Sequence, residues 1–183
     1  MILVISSPSP QEHEGRTLSH LMECGVERIH IRKPGAATDV VAQLLREVPD
    51  CFHARLVVHG HPQLVDSFKL AGVHGRDIPG AVSCSIHELG ELAMGDRYNY
   101  LLFGPIFPSI SKPGYRPRIP FEECSAAVKA ATGCVVAIGG ITAQTAPQAR
   151  RAGFSGVAVL GAVWNSPDPR SAYREIRRSW EEL

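Results

Sequence analysis

The 183-residue chain lacks several features that would place it in a specialised class. It has no run of 18 apolar residues, so we expect no membrane span. Its five cysteines include no Cys-x-x-Cys pair, which argues against a zinc ribbon or a redox motif and favours reduced thiols. The beginning of the chain has no basic region followed by a long apolar stretch, so we expect no signal peptide. These absences together favour a cytoplasmic protein.

The charge balance is also unremarkable. Lysine and arginine exceed aspartate and glutamate by one, giving a formal net charge of +1 with eight neutral histidines. Nucleic-acid-binding proteins usually carry a basic patch or arm, so we expect no nucleic-acid partner. Hydrophobic residues make up 44% and charged residues 20%, which is typical of a globular chain with a substantial core. Length and the lack of a linker predict one domain over residues 1–183.

Short apolar segments alternate with helical or connecting segments along the whole chain. This alternation predicts a parallel sheet covered by helices, and eight strands favour a closed (β/α)8 TIM barrel. The alternative is an open flavodoxin-like sheet, because such barrels usually have about 200 residues or more. The strand candidates are 2–5, 28–31, 55–59, 72–74, 81–85, 99–103, 134–138 and 156–160.

Two helix boundaries follow from the residue types. Gly25 is expected to end the helix that includes residues 17–24, because glycine adopts the left-handed conformation common after a last turn. Thr38 or Asp39 is expected to cap the start of the next helix. The segment between 72 and 85 is too short to hold two strands and a full helix.

Polar residues collect at the ends of several predicted strands, where a TIM barrel carries its chemistry. His30 and Arg32 are two residues apart, so both side chains should face the barrel interior. An inward arginine requires an anion, either a carboxylate of the protein or a phosphate of a ligand. His59 and His74 end the next two strands, so a three-histidine metal site with His30 is an alternative, although no second-shell pattern is visible.

Glycines follow the last two strands. Gly139 and Gly140 stand where a strand turns into a helix, and Gly161 repeats the arrangement after the final strand. Glycine lets backbone amides approach a ligand, and loops after strands seven and eight often form the phosphate site of a TIM barrel. The alternative is that each glycine only permits a tight turn.

With these motifs the chain resembles the thiamine phosphate synthase and thiazole tautomerase family, a (β/α)8 barrel family of thiamin biosynthesis. The most specific motif is GPIFPSISK, residues 104–112, a loop that pairs Gly-Pro with two hydroxyl residues and a lysine. The resemblance extends over nearly the whole chain through GVH 72–74, SIHE 85–88, AIGGIT 137–142, GVAVLGAV 156–163 and DPRSAYREI 168–176.

The resemblance implies a pocket for small phosphorylated substrates. Ser109 and Ser111, with amides near Gly140 and Gly161, would bind a thiazole phosphate. Lys112 and Arg32 would face the diphosphate of a hydroxymethylpyrimidine, which leaves with the help of Mg2+ before the thiazole nitrogen captures the pyrimidine cation. The enzyme would then contribute positioning and charge stabilisation.

The chain departs from the family pattern at the diphosphate and metal end. His30 replaces the usual glutamine and Pro34 the last lysine of strand two, so Lys33 would have to compensate. His59 and Gly60 stand where an Asn-Asp pair is usual, which removes one Mg2+ carboxylate, and Asp77 corresponds to the other. Gly161 replaces a serine. Pro105 is retained, whereas the tautomerase commonly has histidine there.

We therefore consider three functions: a synthase, a thiazole tautomerase, and a non-catalytic binder of a phosphorylated ligand. A homodimer is left open. The predicted catalytic residues are His30, Arg32, His59 and Lys112. The predicted substrate- and phosphate-binding residues are Lys33, His74, Ser85, His87, Ser109, Ser111, Gly139, Gly140 and Gly161. Asp77 is the predicted metal ligand.

Overall fold

The computed structural model describes residues 1–110 and 114–182 and shows a closed barrel. All eight strands are parallel, each pairs with the next, and β8 pairs with β1. The predicted TIM barrel is thus confirmed, and the open sheet is wrong. The strands are β1 Ile2–Ile5, β2 Arg28–Ile31, β3 Leu56–His59, β4 Gly72–His74, β5 Ala81–Ile86, β6 Tyr100–Phe103, β7 Val135–Ile138 and β8 Gly156–Val159.

The helices are unevenly distributed around the barrel. Residues 75–80 join β4 to β5 without a helix, as their length predicts, and 3-10 helices span Asp50–Arg55 and Leu89–Arg97. Within the described ranges, no helix is long and apolar enough to cross a membrane. The α-helices are α1 Glu14–Glu23, α2 Thr38–Arg46, α3 Gln63–Phe68, α4 Phe121–Ala130, α5 Ala146–Arg151, α6 Gly161–Trp164 and α7 Pro169–Glu181.

The two predicted helix boundaries had different outcomes. Gly25 follows the end of α1 with a φ of 91°, which confirms its expected role as a helix stop. The capping prediction for α2 was wrong, because the helix already begins at Thr38 and Ala37 occupies the cap position without a side-chain cap. The Thr38 hydroxyl instead lies 3.2 Å from Nδ1 of His61.

The barrel interior has an apolar and a polar side. Alternate residues of a strand face opposite sides of the sheet, so one set fills the barrel while the other packs against the helices. Leu3, Ile5, Leu102, Val136 and Ala158 form an apolar cluster inside the barrel. The polar side comes from β2 to β6, and its members include His30, His59, His74, Ser83, Ser85 and Tyr100.

Candidate functional site

A cavity of about 340 Å³ opens at the carboxyl ends of the strands, the end of the barrel where the polar residues were expected. Its wall combines polar side chains, four glycines and apolar side chains that include those of Ile5, Leu102, Ile138 and Leu160. Predicted site residues that line it are Arg32, His59, Ser85, His87, Ser109, Gly139, Gly140 and Gly161. Ser111 and Lys112 lie outside the described residues.

The glycines after β7 also pack against the Gly-Pro loop. Gly139 and Gly140 have φ values of 94° and 65°, which disfavour any other residue. A Cβ at Gly139 would lie 2.7 Å from Cβ of Pro105, and one at Gly140 would lie 2.4 Å from the carbonyl oxygen of Pro108. The amide of Ile106 donates to the carbonyl of Ile138 at 2.9 Å. Both glycines therefore allow this close loop contact while lining the cavity.

Arg32 brings a positive charge to the cavity. Its backbone amide donates to the hydroxyl of Ser6 at 2.8 Å, which fixes the start of the loop after β2. None of the ion pairs formed among residues 1–110 and 114–182 includes its guanidinium. Of the two partners considered from sequence, a ligand anion therefore fits the described structure better than a protein carboxylate.

Lys33 points away from this cavity. Its ammonium lies 2.6 and 2.5 Å from the two carboxylate oxygens of Glu14 and donates to the carbonyl of Ser7 at 2.7 Å. Both side chains are buried. Burial raises the pKa of Glu14, whereas the hydrogen bond and charge of Lys33 lower it. The expected compensation, in which Lys33 turns toward the ligand, is not what the structure has.

Asp77 does not line the cavity either. Its carboxylate lies 3.2 Å from the guanidinium of Arg97, and 70% of its side chain is exposed. No aspartate or glutamate is among the described residues lining the cavity. The structure therefore leaves the expected metal carboxylate at the outer surface of the loop after β4.

Three histidines from β2, β3 and β4 meet beneath the cavity. Nδ1 of His30 lies 2.9 Å from Nε2 of His59, and the rings of His59 and His74 stack with centroids 4.2 Å apart. His30 and His74 are buried, while His59 reaches the cavity wall. The strand register explains this arrangement, because His59 pairs directly with His74 and His30 faces the same interior from β2.

In this histidine cluster, His30, His59 and His74, hydroxyl groups contact the outer ring nitrogens of His30 and His74. Nε2 of His30 lies 2.6 Å from the hydroxyl of Tyr100, and Nδ1 of His74 lies 2.8 Å from that of Ser83. The sequence reasoning missed Tyr100 and Ser83. Period-two alternation along β5 and β6 was the available signal, since each lies two residues before a residue that lines the cavity.

The cluster is uncharged at neutral pH. Burial, reinforced by the neighbouring histidines, lowers the pKa of His30 well below its ordinary value. Burial, the charge of His74 and that of Arg32 lower the pKa of His59 to about 2. Burial and Arg32 lower the pKa of His74 to about 4. Each imidazole therefore keeps one unprotonated nitrogen.

His87 occupies a separate part of the wall. Its Nδ1 lies 2.6 Å from the carbonyl oxygen of Gly104, and its backbone amide donates to Glu91 at 2.7 Å. A carbonyl oxygen only accepts hydrogen bonds, so Nδ1 carries the proton. In the neutral ring Nε2 is then an acceptor, which makes His87 chemically distinct from the histidine cluster.

The buried Lys33–Glu14 pair yields a stability prediction. Lys33→Met should lower the free energy of unfolding by about 3 kcal/mol, because it leaves a buried carboxyl group without its partner. Urea denaturation would measure the loss. Lys33→Met combined with Glu14→Leu should lose less than the sum of the two single changes. Additive losses would show that the two side chains do not interact.

The lowered pKa of His74 predicts a dependence of stability on pH. Its folded pKa of about 4 lies below its ordinary value of 6.5, so the unfolded chain binds more protons between these values. The stability due to neutral His74 is complete above pH 6.5 and is lost as the pH falls toward 4. Between pH 7 and 4.5 the wild type should lose about 2 kcal/mol more unfolding free energy than His74→Gln. Equal losses in urea melts would contradict this.

Comparison with known proteins gives a consistent result. A family model described as "Thiamine monophosphate synthase" matches residues 75–163. A thiamine-phosphate synthase of Nitrosococcus oceani is 31% identical, with 76% of this chain and 72% of the relative covered. A putative thiamine-phosphate synthase of Geobacter sulfurreducens is 28% identical, with 83% and 80% covered.

Solved structures agree in fold over almost the whole chain. The thiamine phosphate pyrophosphorylase of Bacteroides thetaiotaomicron has a TM-score of 0.83 at 28% identity, covering 98% of this chain and 96% of the other. That of Pyrococcus furiosus has a TM-score of 0.78 at 25% identity, covering 99% and 95%. The barrel, its motifs and these relatives together show that the chain belongs to the thiamine-phosphate synthase family.

Proposed function

We propose that the chain joins hydroxymethylpyrimidine diphosphate to a thiazole phosphate, forming thiamin phosphate and releasing diphosphate. The chain is an enzyme, a transferase of thiamine biosynthesis. The observation that carries the proposal is the composition of the cavity. The cavity of about 340 Å³ is lined by glycine loops, by an apolar wall and by Arg32. Arg32 forms no ion pair with any other described residue.

The apolar wall suits a flat heteroaromatic ring. Ile5, Leu102, Ile138 and Leu160 contribute side chains that need no hydrogen bond from a ligand. Binding such a ring between them removes apolar surface from water and fixes its plane. Holding two rings together in this way would convert a reaction between two molecules into one within a complex.

Two parts of the mouth suit the phosphate groups. Gly139, Gly140 and Gly161 follow β7 and β8, and the lack of side chains there lets an anion approach the backbone. Arg32 follows β2 and offers a planar group of donors that matches phosphate oxygens. We assign the thiazole phosphate to the glycine loops and the diphosphate to Arg32, with Lys112 as a further cation by its motif.

Charge development explains why an arginine would matter for the rate. Breaking the bond between the pyrimidine carbon and diphosphate leaves negative charge on the departing oxygen. A guanidinium already in place stabilises that charge without reorganising solvent. Ser85, Ser109 and His87 line the same cavity and supply polar groups that orient the substrates. No protein nucleophile is required.

The residues present do not fit a Mg2+ ion at this cavity. Mg2+ prefers carboxylate and phosphate oxygens in an octahedral arrangement. The described cavity wall has no carboxylate, Asp77 is paired with Arg97, and Gly60 stands where the family has its other metal-binding aspartate. The Mg2+ dependence expected from the family resemblance therefore finds no protein ligand set here, and the steps above rely on side chains and amides alone.

The synthase proposal is tested by turnover. The 183-residue chain given both substrates should form thiamin phosphate, detected by liquid chromatography, with and without added Mg2+. Arg32→Gln should lower kcat/KM by about 100-fold, because a charged donor to the leaving group is lost. Arg178→Gln, an exposed change on α7, is the control. Absence of product from the wild type would overturn the proposal, and an unaltered Arg32→Gln would overturn the role of Arg32.

Proton transfer of the tautomerase type is the second candidate, and His87 is the residue that favours it. Its Nδ1–H is held by the carbonyl of Gly104, so Nε2 is the acceptor at the cavity wall. His59 is a poor alternative, because a pKa of about 2 makes it a weak base at neutral pH.

This candidate predicts deuterium incorporation into a thiazole carboxylate phosphate tautomer in heavy water. The wild type should catalyse the exchange, and His87→Gln should slow it by about 100-fold, since general base catalysis typically contributes that much. His61→Gln, in the loop after β3, is the matched histidine control. Exchange that survives in His87→Gln would contradict the assignment, as would its absence in the wild type.

A further inference from the structure

The histidine cluster brings three possible metal ligands together on successive strands. Each imidazole offers one ring nitrogen, and these nitrogens lie within 4.8 Å of one another. We propose that His30, His59 and His74 form a binding site for one divalent transition-metal ion, of the kind represented by Zn2+ or Co2+. Metal binding is measured without substrate, so the proposal is independent of the synthase activity.

Second-shell contacts support this site. A histidine that binds a metal usually presents its other ring nitrogen to an oxygen, which fixes the orientation of the ring. Nε2 of His30 lies 2.6 Å from Tyr100 Oη, and Nδ1 of His74 lies 2.8 Å from Ser83 Oγ. Nδ1 of His30 and Nε2 of His74 remain as the inner nitrogens. The second-shell pattern that could not be seen in the sequence is thus present in the fold for two of the three histidines.

The separation between His30 and His59 is close to that of a metal site. Two nitrogens bound to one zinc ion at about 2.0–2.1 Å are about 3.3 Å apart in tetrahedral geometry. Nδ1 of His30 and Nε2 of His59 are 2.9 Å apart and would have to separate slightly. His59 is the only member of the cluster that is not fully buried, so its ring has the space for this change.

The chemistry of the ligands selects the class of metal. All three groups are neutral imidazoles, which suit zinc, cobalt, nickel and copper and are poor ligands for Mg2+. Because His59 reaches the cavity, a fourth position would open toward it, as in catalytic rather than structural zinc sites. With Arg32 nearby and no carboxylate among the described wall residues, an anion from solution would be the fourth ligand.

A hydrogen-bonded cluster without a metal is the competing interpretation. The inner nitrogens already have partners, since His30 meets His59 and Nε2 of His74 lies 3.0 Å from Ser85 Oγ. Such a cluster would show no stoichiometric metal binding. Removing the hydroxyl of Tyr100 or Ser83 would then have no effect on metal affinity. In a metal site, by contrast, removing a second-shell partner weakens metal binding.

Cobalt titration of the chain distinguishes a metal site from a hydrogen-bonded cluster without a metal. We expect one Co2+ per chain with the visible absorption of a four-coordinate ion, and no displacement by excess Mg2+. His59→Gln and His74→Gln should each abolish the band, and Tyr100→Phe should weaken binding by about 10–100-fold. His13→Gln, whose side chain is exposed, is the control for surface histidines and should bind as the wild type. Added inorganic phosphate should change the spectrum by occupying the fourth position.

Specific outcomes would overturn the proposal. Wild-type protein that binds no stoichiometric Co2+, or binding that persists in both His59→Gln and His74→Gln, would show that the cluster is not a metal site. An unchanged spectrum after phosphate addition would contradict the proposed open fourth coordination position. Circular dichroism checks that each variant is folded, and the half-buried His59 provides a variant less disruptive than one at buried His30.

Discussion

A polar group inside the barrel must find its partner there, because most of the interior is inaccessible to solvent. Every buried side-chain nitrogen and oxygen among the described residues has a hydrogen-bond partner. This requirement gathers the polar groups of β2 to β6 on one side of the barrel, where each imidazole meets a hydroxyl or another imidazole. The opposite side, from β6 to β8 and β1, remains apolar.

This division sets the electrostatics of the cavity. Burial and mutual repulsion disfavour the imidazolium form of all three histidines, so the buried cluster stays neutral. The positive charge at the mouth then comes from Arg32 rather than from the histidine cluster. Because the imidazoles are uncharged and no carboxylate is present on the described wall, the guanidinium leaves a net positive charge that attracts anions.

The alternation of side chains along each strand explains how much of the site could be predicted from the sequence. The eight strands were recognisable because buried parallel strands are short, apolar and rich in β-branched residues. The same alternation separates Arg32 from Lys33: one faces the cavity, while the other packs against Glu14 of α1. The family pattern required Lys33 to compensate for the lysine that Pro34 replaces, but the alternation of side chains places Lys33 on the outer face of the barrel.

The contacts that the sequence did not predict cross from one strand to another. Tyr100 lies 70 positions after His30, and their contact depends on the curvature and stagger of the closed barrel. The Thr38 prediction failed for a similar reason, since its hydroxyl has a competing partner in the loop after β3. Local propensity identifies where a helix or strand lies, whereas partners from distant segments decide what each polar side chain does.

The absence of a carboxylate at position 60 has consequences beyond one ligand. An aspartate in place of Gly60 would lie in the surface pocket that Gly60 shares with Arg32 and His59, where it would attract the guanidinium and favour protonation of the imidazole. With glycine there, neither effect exists: the arginine remains available to an external anion, and the neighbouring imidazole stays neutral. The same departure that removes the oxygen ligand for Mg2+ therefore leaves nitrogen ligands unprotonated. The metal preference and the anion preference of the cavity have this common origin.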